Sequence, residues 1–288
     1  MQLGIRLHDV NSKEDAALQT LEARAKKARE EGFACVHLAL SKVIKGVTFD
    51  DAALTEGLAC YVRRVFAKED LDIAVLGCYL NLANPDPEKL AEIKSRYFAH
   101  LRVASLMGAC MVGTETGAPN LQYKPEPACR SEEALETLIR NLADVVQVAE
   151  DYGVTMAIEP VRKHIVYDAD RAVKVLKTIA SPNLRIIFDP VNLLDFDNVD
   201  DRERVIGDAM DKLCDKIAMV HIKDFVRGEV NGQPELISVA AGCGEMKYDE
   251  ILRFMKARTP YIHASLENTV NENAVASREL IQGIYDSL

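Results

Sequence analysis

Tryptophan is absent, and aromatic residues of all kinds make up only 6% of the chain. Glycine (15) and proline (10) are too sparse for a collagen-like or low-complexity protein, and a hydrophobic fraction of 48% is too high for a disordered one. Cysteine occurs seven times, at Cys35, Cys60, Cys78, Cys110, Cys129, Cys214 and Cys243, but never as C-x-x-C. This spacing supports neither a zinc-thiolate site nor a cysteine nucleophile, and the expected state is reduced, mostly buried thiols in a cytosolic protein. Basic charge is also in short supply: 35 Lys and Arg stand against 45 Asp and Glu, a formal net charge of −10. Such a chain lacks the cations that displace counterions from nucleic acid, and it is repelled by anionic lipid. No nucleic-acid partner and no membrane partner is expected, although a local basic pocket stays compatible with the composition. No apolar run approaches the ~18 residues of a membrane span. Met1 to Arg6 enters a strand-like stretch without an apolar signal core, so a cytoplasmic location is expected.

What is present is a repeating order. Short apolar runs at Leu3–Leu7, Ala34–Leu40, Asp72–Gly77, Cys110–Gly113, Val154–Ile158, Leu184–Phe188, Ile217–His221 and Ile262–Leu266 read as eight strands. Amphipathic stretches lie between them. Glu14 to Glu31 carries Leu18, Leu21, Ala25 and Ala28 on one face and is closed by Gly32. Ser131 can cap a helix showing Leu135, Leu138, Leu142, Val145 and Ala149, ended by Gly153, and Asp168 can cap one stopped before Pro182. Weaker helical patterns cover 51–67, 88–107, 200–213, 248–257 and 274–285. No Pro-, Gly- or Ser-rich linker divides the chain, so residues 1–288 are expected to form a single domain. Repeated strand-then-helix order implies parallel strands, and eight such units predict a single (β/α)8 TIM barrel in the α/β class. The rival, an open doubly wound sheet, usually carries a glycine-rich turn after its first strand; Leu7-His8-Asp9-Val10-Asn11 has no glycine.

In such a barrel the chemistry sits at the C-terminal ends of the strands. Strands five to eight each deliver a metal-ligand residue type at that end: Glu159, Asp189, His221 and Glu267, at intervals of 30, 32 and 46 residues. Charged groups placed directly after apolar strands are costly to bury unpaired. A divalent cation would offset the three carboxylates. Pro160 and Pro190, each following one of these acids, hold the preceding residue extended where the strand must stop. An oxygen-rich set with one imidazole suits Mn²⁺ best, with Mg²⁺ or Co²⁺ next, and differs from the thiolate-rich set of a structural Zn²⁺ site, although Zn²⁺ stays among the candidates. Four protein ligands on an octahedral ion would leave two positions for adjacent oxygens of a sugar.

These residues lie in motifs: I-E-P at Ile158–Pro160, F-D-P-V-N at Phe188–Asn192, H-I-K-D at His221–Asp224, L-E-N at Leu266–Asn268 and G-C-G-E-M-K-Y-D-E-I-L at Gly242–Leu252. By their order and placement the chain resembles the sugar phosphate isomerase/epimerase superfamily, the xylose isomerase-like TIM barrels, and most of all the ketohexose 3-epimerases of the tagatose/psicose epimerase type. The resemblance implies that Glu159, Asp189, His221 and Glu267 are the metal ligands, that Glu159 and Glu267 double as catalytic acid and base, and that Arg227 contacts substrate. One departure is visible: the epimerases carry a substrate-binding histidine three residues after the metal aspartate, and here that position is Asn192, which can hydrogen-bond a hydroxyl but not carry a charge. The resemblance further implies a small-molecule sugar or sugar-derived substrate and a homodimer or homotetramer.

The expected reaction is proton abstraction beside a metal-bound carbonyl, through an enediolate, with one carboxylate removing the proton and the other returning it. Epimerisation, aldose–ketose isomerisation and loss of water from an inosose all use these parts. Of the remaining polar residues, Glu115 either lines the pocket or pairs with a cation, and His164 either contacts substrate or sits on an exposed loop. Lys223 either orients a substrate oxygen or holds Asp224. His8 and His37 read as barrel-interior histidines rather than ligands, and Tyr79 and Asn81 as hydroxyl contacts. No glycine-rich phosphate cradle is evident, though Arg227 and Lys223 could bind an anionic group. Two rivals follow from the same barrel. A nuclease of the endonuclease IV type would need more than the six histidines present and a less acidic chain; a non-catalytic sugar-binding barrel would have no need of the metal set.

Overall fold

The computed structural model describes residues 1–10, 19–258 and 261–288. Its elements, in chain order, are β1 (Gln2–Arg6), α1 (Leu21–Glu30), β2 (Cys35–Leu38), the short α2 (Leu40–Val43), α3 (Glu56–Lys68), β3 (Asp72–Gly77), α4 (Pro87–Met107), β4 (Met111–Glu115), α5 (Glu132–Tyr152), β5 (Thr155–Glu159), α6 (Ala169–Ile179), β6 (Leu184–Phe188), α7 (Arg202–Leu213), β7 (Ile217–Ile222), β8 (Asp224–Val230), β9 (Gln233–Val239), α8 (Asp249–Arg258), β10 (His263–Leu266) and α9 (Ala274–Ser287). Eight strands close in the order β1-β10-β7-β6-β5-β4-β3-β2, with β8 and β9 forming a separate antiparallel pair. The fold is a (β/α)8 barrel.

Backbone packing divides the chain into two units, one of Met1–Val47, Tyr61–Ala74 and Met219–Leu288, the other of Thr48–Cys60 and Val75–Ala218. In the first, β1 lies parallel between β10 and β2, and β10 pairs with β7 so that Ser265 is opposite His221. In the second, β3, β4, β5 and β6 run parallel, with Glu115 opposite Glu159. The strands are buried on both faces, which is why they read as continuous Val/Ile/Leu runs instead of alternating ones: Ile5, Val36, Leu76, Val112, Ile158, Ile186 and Val220 are all buried.

Helix starts follow the capping chemistry. Ser131 Oγ accepts from Ala134 N at 3.1 Å and Asp168 Oδ1 from Arg171 N at 2.9 Å, while Gly153 ends α5 in the left-handed conformation. The first helix is shorter than its pattern suggests: Thr20, whose Oγ1 accepts from Ala23 N, caps it at Leu21, and residues 14–18 of the expected helix lie outside the described residues. The helix expected from residue 51 starts at Glu56. None of the seven cysteines is in a disulfide, but only Cys35, Cys78 and Cys129 are buried, so the expectation of mostly buried thiols is corrected. Among the described residues no helix is long and apolar enough to cross a membrane.

The β8–β9 hairpin was not among the expected elements. Its signal is the Asn231-Gly232 pair between alternating residues: both adopt positive φ, 53° and 76°, as a two-residue hairpin turn of matching twist requires. Asp224 fastens this hairpin to the glycine-rich segment that follows. Its buried carboxylate accepts from Phe225 N and Met246 N, each at 2.8 Å, from Gly242 N at 3.1 Å and from Tyr248 Oη at 3.0 Å. A Cβ at Gly244 would stand 2.0 Å from Phe225 O and 2.5 Å from Asp224 Oδ1. Gly244→Ala is therefore expected to destabilise the fold by about 1–3 kcal/mol, as overpacking against backbone does, measured by urea unfolding.

His100, buried on α4, has its Nδ1 2.8 Å from Arg96 O. Burial pushes its pKa from 6.5 down to about 4. Between those values the unfolded chain takes up the proton and the folded chain does not, so stability is complete above pH 6.5 and declines as pH falls toward 4. His100→Gln is expected to flatten that decline by on the order of 2 kcal/mol, read from urea midpoints at pH 7, 5.5 and 4.5.

Candidate functional site

In the first unit the polar residues converge on Glu267. This carboxylate follows β10, and Glu267 N donates to Ile222 O at 3.1 Å, so the end of β7 fixes where it projects. Its Oε1 lies 3.5 Å from His221 Nδ1 and 3.8 Å from His37 Nδ1; its Oε2 lies 3.4 Å from Lys223 Nζ and 3.8 Å from Arg6 Nη1. Glu267, His221, His37 and Lys223 are all buried. Burial alone would push the Glu267 carboxyl up, but His221, Lys223, Arg6 and His37 outweigh it and hold the group well below the usual carboxylate range. His37 stacks on His221 with ring centroids 5.3 Å apart, and burial lowers its pKa to about 3, so its ring is neutral. One ligand atom each from His37, His221 and Glu267 falls within 4.8 Å of the others. Read from the sequence as an interior histidine, His37 is both buried and beside the expected ligands; its place at the end of β2 was the signal that could have found it.

Lys223 reaches Glu267, while Asp224 is held by backbone amides and Tyr248. Arg227 lies on β8 and is exposed, with Nε 3.3 Å from Glu245 Oε2. Nearby, His8 Nε2 lies 3.9 Å from Asp9 Oδ1, and Arg6 Nε donates to Asp9 Oδ2 at 3.0 Å.

In the second unit Glu159 and Asp189, both buried, offer carboxylate oxygens within 4.8 Å of each other. The F-D-P-V-N sequence explains how. Pro190 turns the chain into a helical conformation directly after β6, and Asp189 Oδ1 then accepts from Val191 N and Asn192 N, each at 3.0 Å. The same turn brings Asn192 Nδ2 to Glu159 Oε1 at 2.6 Å. Asn192, read from the sequence as a hydroxyl contact, thus couples the two carboxylates. Glu115 stands opposite Glu159 across the β4–β5 ladder, half-buried, with its Oε2 3.6 Å from His164 Nδ1 and 3.5 Å from the Tyr123 hydroxyl that donates to it. His164 is not on an exposed loop: its side chain is 11% accessible, and burial lowers its pKa to about 4. Tyr123 went unnoticed in the sequence because nothing in its proline-containing loop has a period.

Asn81 cannot serve as a free hydroxyl contact. Its Nδ2 donates to Ala118 O and Asn120 O and its Oδ1 accepts from Ala83 N and Ala118 N.

In the first unit a buried carboxylate with two buried imidazoles, and in the second two buried carboxylates, stand at strand ends, and each is donor chemistry that a divalent cation takes, without a thiolate. Residues 25–283 match the family described as the xylose isomerase-like TIM barrel, and the chain belongs to that family. Solved structures share its fold at low identity. A D-tagatose 3-epimerase-like protein matches at 19% identity with a TM-score of 0.75, over 100% of this chain and 98% of the other. The D-psicose 3-epimerase of Clostridium cellulolyticum H10, solved with D-tagatose, matches at 15% identity and TM-score 0.71 over 99% of each chain. An IolI protein with a bound zinc atom matches at 18% identity and TM-score 0.72, over 100% of this chain and 99% of that one. No curated protein sequence matches the chain.

Proposed function

We propose that the chain is a divalent-metal-dependent sugar isomerase or epimerase, with Glu159, Asp189, His221 and Glu267 holding one ion. The observation that carries this reading is that four strands adjacent in the closed order, β5, β6, β7 and β10, carry these four residues at or directly beyond their C-terminal ends, and that each is buried. Buried carboxylates in such number are costly without a compensating cation. The epimerase and zinc-bound relatives support it. The ion, Mn²⁺ in this reading, would supply Lewis-acid polarisation of a substrate carbonyl. The chain's own residues do the rest. Glu159 takes the proton from the carbon beside that carbonyl, while the Asn192 amide keeps its Oε1 oriented. Glu267, with Lys223 and Arg6 beside it, takes up a proton from solvent and delivers it to the other side of the carbon, returning to the carboxylate. Arg227 and Lys223 bind substrate oxygens. The proposal includes a cytoplasmic protein whose 288 residues work as one barrel domain in a homodimer or homotetramer.

The test is a panel of ketoses, ketose phosphates and inososes in deuterated buffer with Mn²⁺, followed by proton NMR. Deuterium entering next to the carbonyl, together with about one metal ion per chain that is lost in Asp189→Ala, supports the proposal. Net loss of water from an inosose instead assigns the lyase reaction to the same residues. A metal-free protein that binds sugar and exchanges nothing overturns the enzyme reading in favour of a sugar-binding barrel.

A further inference from the structure

The reaction above gives His37 no part. This residue lies near the end of β2 and is 2% exposed, and three observations give it a task beyond filling the barrel interior. The first is topology. Strands β2, β1, β10 and β7 are consecutive in the closed order, and His37, His221 and Glu267 all belong to the first unit. His37 is level with Arg6 and Ile5 with Leu266, so Glu267 follows on the rung of His37, while His221 is opposite Ser265. The second is the way the Glu267 carboxylate divides its oxygens. Oε2 faces Lys223 Nζ and Arg6 Nη1, at 3.4 and 3.8 Å. Oε1 faces the imidazoles, with His221 Nδ1 at 3.5 Å and His37 Nδ1 at 3.8 Å. The third is preorganisation: the His37 ring stacks on the His221 ring, the centroids 5.3 Å and the planes 18° apart, so that both rings are already confined where they stand.

The two separations from Oε1 are too long for hydrogen bonds, whose N···O distance is about 2.7–3.2 Å. They fit donors that share an ion: with metal–ligand bonds of about 2.0–2.2 Å, neighbouring ligand atoms stand about 3 Å apart and opposite ones about 4.3 Å. One ligand atom each from His37, His221 and Glu267 lies within 4.8 Å of the other two. An imidazole has two nitrogens. Ligation takes one and leaves the other to the partner that fixes the ring, the usual arrangement around a metal-bound histidine. A hydrogen bond or other contact made by the rest of the His37 ring is therefore compatible with ligation, and an interior position does not exclude it.

We propose that His37 is a ligand of the divalent ion, so that the first unit grips it through two imidazoles and one carboxylate, His37, His221 and Glu267. The proposal rests on the metal-dependent reading above and deepens it by adding a ligand and a metal preference. A second imidazole makes the donor set richer in nitrogen, which favours Co²⁺ and Zn²⁺ over Mg²⁺ and still admits Mn²⁺.

The experiment loads the full chain with one equivalent of Mn²⁺ and reads the nitrogen modulation of its electron spin echo, which counts coordinated imidazoles, in wild type, His37→Phe and His37→Asn. Phe keeps a ring to stack on His221; Asn keeps a polar group near the place of Nδ1 but is a poor ligand. Two imidazoles are expected in wild type and one in each variant. Dialysis against Co²⁺ and against Mg²⁺ is expected to show Co²⁺ binding weakened roughly tenfold or more by either substitution, and Mg²⁺ binding by less than about threefold. One imidazole in wild type overturns the proposal, as do two that persist in His37→Phe. Wild-type Co²⁺ affinity in His37→Asn also overturns it, because His37 then acts only as a polar neighbour of Glu267. In each of these cases an ion that is lost in Asp189→Ala leaves the metal-dependent reading standing. A wild type that binds no ion removes that reading, and this proposal with it.

Discussion

Glu159→Gln is expected to slow solvent-deuterium exchange into substrate by 10²- to 10⁴-fold, the usual contribution of a positioned general base. Gln keeps the length of the side chain and one carbonyl oxygen but cannot take a proton. Glu159 is buried at the end of β5 and its Oε1 accepts from Asn192 Nδ2 at 2.6 Å, so the substituted amide keeps that bond by turning its oxygen toward Asn192 and leaves its NH2 where the second carboxylate oxygen stood. Metal content measured on the same sample separates the two roles proposed for this residue. Exchange lost with metal retained assigns proton transfer to Glu159; exchange lost in step with metal makes it a ligand alone. Asn192→Ala leaves both carboxylates in place and removes only the amide, so a smaller loss, roughly tenfold, is expected. If Glu159→Gln exchanges at the wild-type rate, the base is another group.

How much of this could be read without coordinates follows from where the forces are local. The eight strands were legible because each is buried on both faces and so is written in apolar residues; Asp72–Gly77 and Leu184–Phe188 carry the bounds expected of them. Helix caps were legible because Ser131 and Asp168 act within three residues. The buried carboxylates and imidazole at the strand ends were legible because a barrel topology dictates at which end of each strand to look. Long-range side-chain partners were not. That Asn192 grips Glu159, 33 residues away, or that His37 stacks on His221, depends on packing that no period records. The hairpin after β7 escaped notice although its Asn-Gly turn is a strong local signal, because attention to the strand-helix repeat leaves no place for an antiparallel pair. Arg171 escaped for a more general reason: a charged residue on a helix reads as a solvated one.

Arg171→Ala is expected to cost about 3–5 kcal/mol and to lower the melting temperature by roughly 5–10 °C, measured by thermal and urea unfolding. Arg171 sits on α6, is buried, and its guanidinium lies 4.7 Å from the Tyr167 ring centroid. Its Nη1 donates to Cys129 O and Ile165 O at 3.1 and 2.8 Å, and its Nη2 to Arg130 O, Ser131 O and Glu132 Oε1 at 2.9, 2.8 and 3.1 Å. Truncation leaves these main-chain carbonyls, of which the contacts to Cys129 O and Ile165 O are buried, without their guanidinium donors. Arg171→Lys keeps the charge but offers a single point donor, and most of the loss is expected to remain. The carbonyls belong to the segments that follow β4 and β5, the same two that carry Tyr123 and His164. A protein that survives the substitution below its new melting temperature should therefore show a raised KM with metal stoichiometry unchanged, because Asp189, Glu267 and His221 are held by bonds in which Arg171 takes no part. An Arg171→Ala protein as stable as wild type would mean that the helix start and the hydrophobic packing of α6 fix these segments unaided, and the guanidinium would then be no more than a buried charge the fold tolerates.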